Sequence, residues 1–306
     1  MKKLLQVQEA LTGGHRLCAG CSESIIAKQV VMASPRPVVA ILATSCLEVA
    51  TTIYPYTAWM IPLLHVAFEN VDAVASGVEA AYLALKKQST LPHNEDLEIL
   101  ALGGDGGTYD IGLQSLSGAL ERKARIRRIC FCNEGYMNTG IQRSSATPFG
   151  AHTTTTPRGN ASFGKIEWRK DLTGIVAAHH IPYIGQAAPV TLKPHDLRIK
   201  AAKGFEADGP AFLNVLAPCS RGWGFEPKDT IAIANLAVET CYWPLFEIVE
   251  GKWNLTYEPK IKKPIRDWLA AQKRFEHLLT DEPLIEYIQK RIDEEWEALL
   301  KKCDRK

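Results

Sequence analysis

Short apolar runs alternate with longer segments of helical spacing along most of this chain, and that alternation restricts the fold more than any single motif does. The runs 37–43 (PVVAILA), 97–102 (LEILAL), 126–132 (IRRICFC), 181–186 and 211–216 read as strands. A strand covered on both faces shows a near-continuous apolar stretch in place of period-two alternation. Segments 22–33, 71–87, 111–122, 172–179, 196–205 and 231–241 have the spacing of amphipathic helices. The pattern predicts an α/β fold: a mostly parallel sheet with helices on both faces. Ligands in such folds sit at the carboxyl ends of strands. Cys46, the GGDGG cluster at 103–107, Asn133 and Cys219 each follow a strand run. After about residue 250 the alternation lapses. There, 253–257 reads as one more strand and 282–302 as a charged amphipathic helix. The division expected is a ligand-binding α/β domain over 1–250 and a C-terminal helical arm over 251–306.

Charge narrows the partners. The 36 basic and 34 acidic residues leave a net +2, which gives no pull toward nucleic acid or an anionic membrane. The most apolar stretch, 38–53, is interrupted by Ser45 and Glu48 and is too short to span a bilayer. MKKLLQVQEALTGG lacks the long apolar core and cleavage site of a signal peptide. The setting expected is cytoplasmic, where 8 cysteines serve as buried small hydrophobes or as metal and redox groups, not as a disulfide framework.

The glycine cluster, GGDGGTYDIG, lies between a predicted strand and a predicted helix. Glycines there let a backbone approach a phosphate closely, beside the free N–H groups of a helix start. No GK[ST] follows, and the pattern is not GxGxxG. An Asp inside the turn suggests a hard cation bridging a carboxylate and diphosphate oxygens. Asn133, some 28 positions after Asp105, ends the next strand. A GDG followed at that interval by Asn is a thiamine-diphosphate signature. In that reading Asp105, Asn133 and the carbonyl of Gly135 bind Mg²⁺, within a turn that includes Gly104 and Gly106. An ordinary Gly-rich strand–helix turn is the alternative for the glycines alone; the Asp–Asn pair favours the cofactor. The second feature, HRLCAGCSES, places Cys18 and Cys21 at CxxC spacing. Spacing alone leaves a thiol couple, zinc and an iron–sulfur cluster open.

Five stretches together bear a family likeness: HRLCAGC, TSCLEVATTIYPYTAW, GGDGGTYDIGLQSLSGALER, NEGYMNTGIQRSSATPFGA and NVLAPCSRGW. Taken together they resemble the β subunits of multi-subunit 2-oxoacid:ferredoxin oxidoreductases of the pyruvate type, from about Gly14 to the C-terminal helix. The resemblance implies a thiamine-diphosphate-binding fold in residues 1–250 and one [4Fe–4S] cluster held by Cys18, Cys21, Cys46 and Cys219. Cys₄ zinc fits less well, since structural zinc usually joins two close-set CxxC pairs. The resemblance further implies that Asn138 points into the active site and that Glu23 lies near cofactor and cluster. Glu23 has a bland alternative as a first-turn acid favoured by the helix dipole. Thr139, Gln142 and Arg143 line the same loop, while His65 and Asn70 are weaker candidates for cofactor contact. Cys130 and Cys132 share a strand face and read as core; Cys241 and Cys303 read as structural residues on helices.

The implied activity is oxidative decarboxylation of a small 2-oxo acid, pyruvate first, with coenzyme A as acyl acceptor. Oxalate cleavage without coenzyme A and a non-catalytic electron-transfer subunit are the alternatives. Two parts are missing from the sequence: the glutamate that activates the aminopyrimidine ring, and a C-x₂-C-x₂-C-x₃-C run for ferredoxin-type clusters. By resemblance a partner α subunit supplies the first, γ/δ or ferredoxin-domain subunits the second, and ferredoxin accepts the electrons. Four positions depart from the family pattern: Ser22, Cys132, His152 and Ser220. Ser22 and Ser220 flank cluster cysteines and are expected to tune the cluster by hydrogen bonding; His152 is expected to make its loop more polar.

Overall fold

The structure, a computed structural model, describes residues 10–91 and 96–305. Most of the N-terminal segment judged not to be a signal peptide lies outside the described residues. In chain order the elements are α1 (Glu23–Val31), β1 (Val38–Ala43), α2 (Cys46–Thr51), β2 (Leu63–Val66), α3 (Val71–Lys87) and β3 (Glu98–Gly104). Next come α4 (Leu113–Glu121), β4 (Ile126–Cys132), the small β5 (Arg158–Gly159) and β6 (Ser162–Phe163), and α5 (Leu172–Ala177). They are followed by β7 (Tyr183–Ala187), α6 (Asp196–Glu206), β8 (Ala211–Leu216), α7 (Ser220–Trp223), α8 (Thr230–Glu239), β9 (Phe246–Val249), β10 (Lys252–Leu255), α9 (Ile265–Ala270) and α10 (Glu282–Lys302).

Eight strands form one sheet in the order β10-β9-β7-β8-β4-β3-β1-β2. Pairing is parallel from β2 through β7, and antiparallel where β9 joins β7 and β10 joins β9. The α/β expectation is met. Strands β4 and β8 are buried at every position, as a sheet covered on both faces requires. Apolar clusters lie on both sides of it.

The order has a chemical consequence. β8, β4, β3 and β1 are consecutive neighbours, and their carboxyl ends lead to Cys219, Asn133, Asp105 and Cys46. Residues spread over 174 sequence positions (219 − 45) therefore meet along one edge.

β4 contains two buried arginines in an otherwise apolar run. Arg127 bonds the Glu98 carboxylate at 3.1 Å, and Arg128 bonds Asp72 at 2.9 Å. Arg128 also donates to the Thr108 hydroxyl at 2.8 Å, which in turn donates to the carbonyl of Gly104 at 2.6 Å. The central strand is thereby tied to the glycine turn.

Several details differ from the sequence reading. The helix expected from 111 opens at Leu113, after a π-helical turn over Gly106–Ile111. Gly112 there reaches back to the carbonyl of Gly107 at 2.8 Å, a five-residue bond that glycines tolerate. The short α2 hides inside an apolar stretch and is made by its cap: the Ser45 hydroxyl accepts from the Glu48 N–H at 3.3 Å. His65 lies within β2, a strand the sequence reading did not include. Cys241 and Cys303 sit just past the ends of α8 and α10. Residue 250 falls in the turn between β9 and β10, where Glu250 and Gly251 both have positive φ, so the sheet runs on into the expected arm. Beyond it, α10 spans the length expected and buries Ile285, Ile288, Ile292 and Leu299, a single helical face.

Asp72 and Arg128 are each 1% exposed. Asp72→Ala strands a buried guanidinium, and the unfolding free energy is expected to fall by about 3–5 kcal/mol, measured by urea titration.

Candidate active site at the carboxyl edge of four strands

A pocket opens where three of these strands, β1, β3 and β4, end. Thr44, Ser45 and Cys46 form one wall, Gly104, Asp105 and Gly106 the floor, and Asn133 with Gly135–Thr139 the other wall. The backbone is shaped by glycine. A Cβ on Gly106 would stand 2.4 Å from the Tyr136 ring, so only glycine lets Tyr136 lie on the turn. Tyr136 stacks on Phe68, with ring centroids 5.7 Å apart. A Cβ on Gly104 would meet only Ser45, at 3.6 Å, so that glycine leaves space open toward the pocket.

Asp105 is fully buried. One oxygen accepts the Asn133 N–H at 3.1 Å, and the other accepts the Ser144 hydroxyl at 2.5 Å. Burial pushes its pKa up to about 8, because a dry setting disfavours the charged form. Beside it, the Asn133 Oδ1 is buried with no hydrogen-bond partner among the described residues. A carboxylate and an orphaned amide oxygen on neighbouring strands, with backbone carbonyls alongside, are hard oxygen donors of the kind Mg²⁺ takes. Ser144 had no signal of its own in the sequence; only the length of its polar loop pointed to function.

Asn133 is held on its other sides as well. Its Nδ2 donates to the Glu23 carboxylate at 2.9 Å, and its carbonyl accepts the Trp223 indole N–H at 2.7 Å. Glu23 is 3% exposed, and burial raises it to about 7. It is thus not a solvated first-turn acid. It lies between the CxxC helix and the Asn133 side chain, with its second oxygen unpartnered among the described residues.

The four expected cysteines converge. All are free thiols. Burial, then Glu23, then Cys219 and a CxxC thiol raise both Cys21 and Cys46 well above the ordinary thiol value. Cys219 is pushed up by burial to about 11, against the lowering effect of the Gly222 N–H, which donates to its sulfur at 3.2 Å. No three His, Cys, Asp or Glu side chains among the described residues gather closely enough to hold a single metal ion.

Ser22 and Ser220 correct an expectation. The Ser22 hydroxyl donates to the carbonyl of Pro218 at 3.1 Å, and the Ser220 hydroxyl donates to that of Ala19 at 2.9 Å. Each serine bonds the backbone of the opposite cysteine loop, so the pair stitches the CxxC to Cys219 and does not address sulfur. Thr230 adds a third stitch to the carbonyl of Gly20 at 2.7 Å.

Other candidates separate. Asn138 and Thr139 line the pocket and are exposed at its mouth. The Thr139 hydroxyl bonds Gln142 at 2.6 Å, and the Arg143 N–H donates to Thr155 at 3.0 Å; both build the loop. His65 contacts Thr44 at 3.1 Å and Glu48 at 3.3 Å without lining the pocket, and Asn70 stands at the N-cap of α3 outside the lining, its Oδ1 buried without a partner among the described residues. The His152 ring accepts the Arg158 N–H at 3.0 Å and closes its own loop. Cys130 and Cys132 are core.

Residues 43–215 match the family model described as thiamine pyrophosphate enzyme, C-terminal TPP binding domain. The chain is 49% identical over 292 residues to pyruvate synthase subunit PorB of Methanocaldococcus jannaschii, spanning 95% of this chain and 97% of that one. It is 48% identical over 297 residues to the same-named subunit of Thermotoga maritima, spanning 95% and 91%. Ketoisovalerate oxidoreductase subunit VorB of Pyrococcus abyssi is 41% identical over 299 residues, spanning 97% and 94%. Nothing in these relatives supports the oxalate reading. A solved 2-oxoglutarate:ferredoxin oxidoreductase from Magnetococcus marinus shares the fold, with a TM-score of 0.55 at 21% identity over 69% of this chain and 66% of that one.

Two tests follow from the geometry. Gly106→Ala displaces Tyr136 at a cost of about 1–3 kcal/mol and is expected to lower the thiamine diphosphate content of the purified complex, assayed after release as fluorescent thiochrome. Ser22→Ala with Ser220→Ala removes two hydrogen bonds worth about 1 kcal/mol each. The double variant is expected to melt about 2–4 °C lower per bond by calorimetry.

Proposed function

Because this chain belongs to the thiamine pyrophosphate enzymes, and among them to the β subunits of the 2-oxoacid:ferredoxin oxidoreductases, we propose that it is the cofactor-holding subunit of a pyruvate-type oxidative decarboxylase. It is an oxidoreductase subunit that binds thiamine diphosphate. The observation that supports the site assignment most is Asn133, which joins the Asp105 turn, Glu23 of the CxxC helix and Trp223 beyond Cys219.

Bound thiamine diphosphate supplies the carbon nucleophile and electron sink for loss of CO₂ from a 2-oxo acid, and a [4Fe–4S] cluster takes the electrons released. Asp105, the Asn133 Oδ1 and the Gly135 carbonyl would hold Mg²⁺; Gly104 leaves space open toward the pocket, and Gly106 lets Tyr136 lie on the turn. Cys18, Cys21, Cys46 and Cys219 would hold the cluster. Asn138, exposed at the mouth, offers an amide to the substrate's oxygens, with Thr139 beside it. Glu23 orients the Asn133 amide through Nδ2, which leaves Oδ1 free to face the cation. Phe68 and Tyr136 exclude water from one side of the pocket.

The remaining parts come from partner chains: an α subunit for the ring-activating carboxylate, γ/δ or ferredoxin-domain subunits for onward electron transfer, ferredoxin as acceptor and coenzyme A as acyl acceptor. No helix of the described residues is long and apolar enough to cross a membrane. We place the complex in the cytoplasm, where eight free thiols suit a reducing compartment.

The complex purified without oxygen is expected to show a broad iron–sulfur absorption that pyruvate bleaches, and to turn over when coenzyme A and oxidised ferredoxin are both added. Stronger bleaching by 2-oxoisovalerate moves the substrate to the branched-chain acids; bleaching by no 2-oxo acid overturns the reading. Asp105→Ala is expected to lose thiamine diphosphate and keep iron. Cys46→Ala is expected to lose about four irons per chain and keep thiamine diphosphate. This chain alone, reconstituted with both groups, is expected to give no turnover.

A further inference from the structure

Beneath the C-terminal helix lies a cavity of about 320 Å³, separate from the strand-edge pocket. Its size is that of a small-molecule site. Aromatic walls dominate it, among them Tyr242, Trp243 and Trp268. Three buried polar atoms of its lining have no hydrogen-bond partner among the described residues: Arg169 Nη1, Trp268 Nε1 and Asn214 Oδ1. Two donors and one acceptor left unmade around one space are costly, since each forfeits its desolvation.

The charge there is also unbalanced. Arg169 lies between the rings of Tyr242 and Trp243, 4.7 Å from each centroid. Its Nη2 donates to the Tyr242 carbonyl at 3.4 Å, and its nearest carboxylate, Glu134, stands 3.6 Å away. That carboxylate is already shared, because Glu134 also pairs with Arg274 and accepts the Tyr242 hydroxyl. One buried carboxylate thus faces two guanidiniums. At the rim, on exposed positions of α10, Arg291 and Lys302 lie over Trp168 and Trp253, with Glu295 bonded to Arg291 at 2.9 Å.

The geometry points to a second ligand site in this subunit: the cavity beneath α10 takes a small organic carboxylate with a flat apolar body, its carboxylate on Arg169. A guanidinium suits a carboxylate's two oxygens. The indole and phenol walls suit a flat ring. Asn214 Oδ1 is left to accept from a donor on the ligand or from a water. The site does not depend on the thiamine assignment, and the Arg169 Nη1 it uses stands 3.6 Å from Glu134, the residue between Asn133 and Gly135. An effector of the active-site turn is the role this position allows.

Benzoate is the probe, titrated into the intact complex and followed by tryptophan fluorescence and thermal shift. Saturable quenching with a rise in melting temperature is expected, at a Kd of about 1 mM or tighter. Benzamide, which lacks the charge, is expected to bind at least about tenfold more weakly. Arg169→Leu and Ala298→Trp, the latter closing the rim from α10, are each expected to weaken benzoate at least about tenfold. Excess pyruvate is expected to leave benzoate binding unchanged. No saturation by about 10 mM overturns the proposal and leaves a water-filled cavity. Equal binding by Ala298→Trp, or competition by pyruvate, overturns it too. If Arg169→Leu does not fold, Ala298→Trp decides.

Discussion

The backbone and side chain of Asn133 are the constraint on which the rest of the site depends. Its N–H bonds Asp105, its Nδ2 bonds Glu23, and its carbonyl takes the Trp223 indole. Each partner belongs to a different part of the chain, and each stands within four residues of a group the site needs. Glu23 follows Cys21 by two residues, and Trp223 follows Cys219 by four. The donors proposed for a cation and the thiols proposed for a cluster therefore share one scaffold. A shift at either is felt at the other, because a buried amide with fixed partners has no solvent to absorb it.

The C-terminal part supports that scaffold from below. Glu134, the residue after Asn133, has a positive φ of 65°, a conformation non-glycine residues adopt only when their surroundings compel it. Arg274 and Tyr242 supply the compulsion by gripping its carboxylate. Arg274 in turn lies 4.0 Å above the Trp223 ring, so one guanidinium bears on both Glu134 and the indole that holds Asn133. The segment after residue 251 is thus structurally continuous with the active-site turn. Its helix α10 covers the aromatic cluster that keeps Arg274 in place.

Much of this was legible in the sequence, for physical reasons. Buried parallel strands must be apolar on both faces, so β1, β3, β4, β7 and β8 declared themselves, and α10 did so by its stripe of isoleucines and leucines. The glycine–aspartate turn was legible because few residues other than glycine allow so close a backbone approach; the set of four cysteines came from the family resemblance, since spacing alone left their role open. Elements specified by capping or by long-range contact stayed hidden. α2 depends on one serine hydroxyl, and the paired arginines of β4 depend on Glu98 and Asp72, which lie in other elements. Ser144 and Trp223 gave no sign either, since their roles exist only once distant segments meet.

Ser22 and Ser220 show how a correct choice of residue can come with the wrong mechanism. Their place beside cysteines suggested bonds to sulfur. A hydroxyl donates to the best acceptor in reach, and a carbonyl of the facing loop is a stronger acceptor than sulfur. Ser22 donates to Pro218 and Ser220 to Ala19, so the hydroxyls fix how far apart the two cysteine loops stand. Gly20 completes the arrangement: its φ is +72°, and a Cβ there would meet the Pro227 carbonyl at 2.5 Å. These serines thus act on the site through distance, by tying together at a fixed spacing the segments that present Cys18, Cys21 and Cys219.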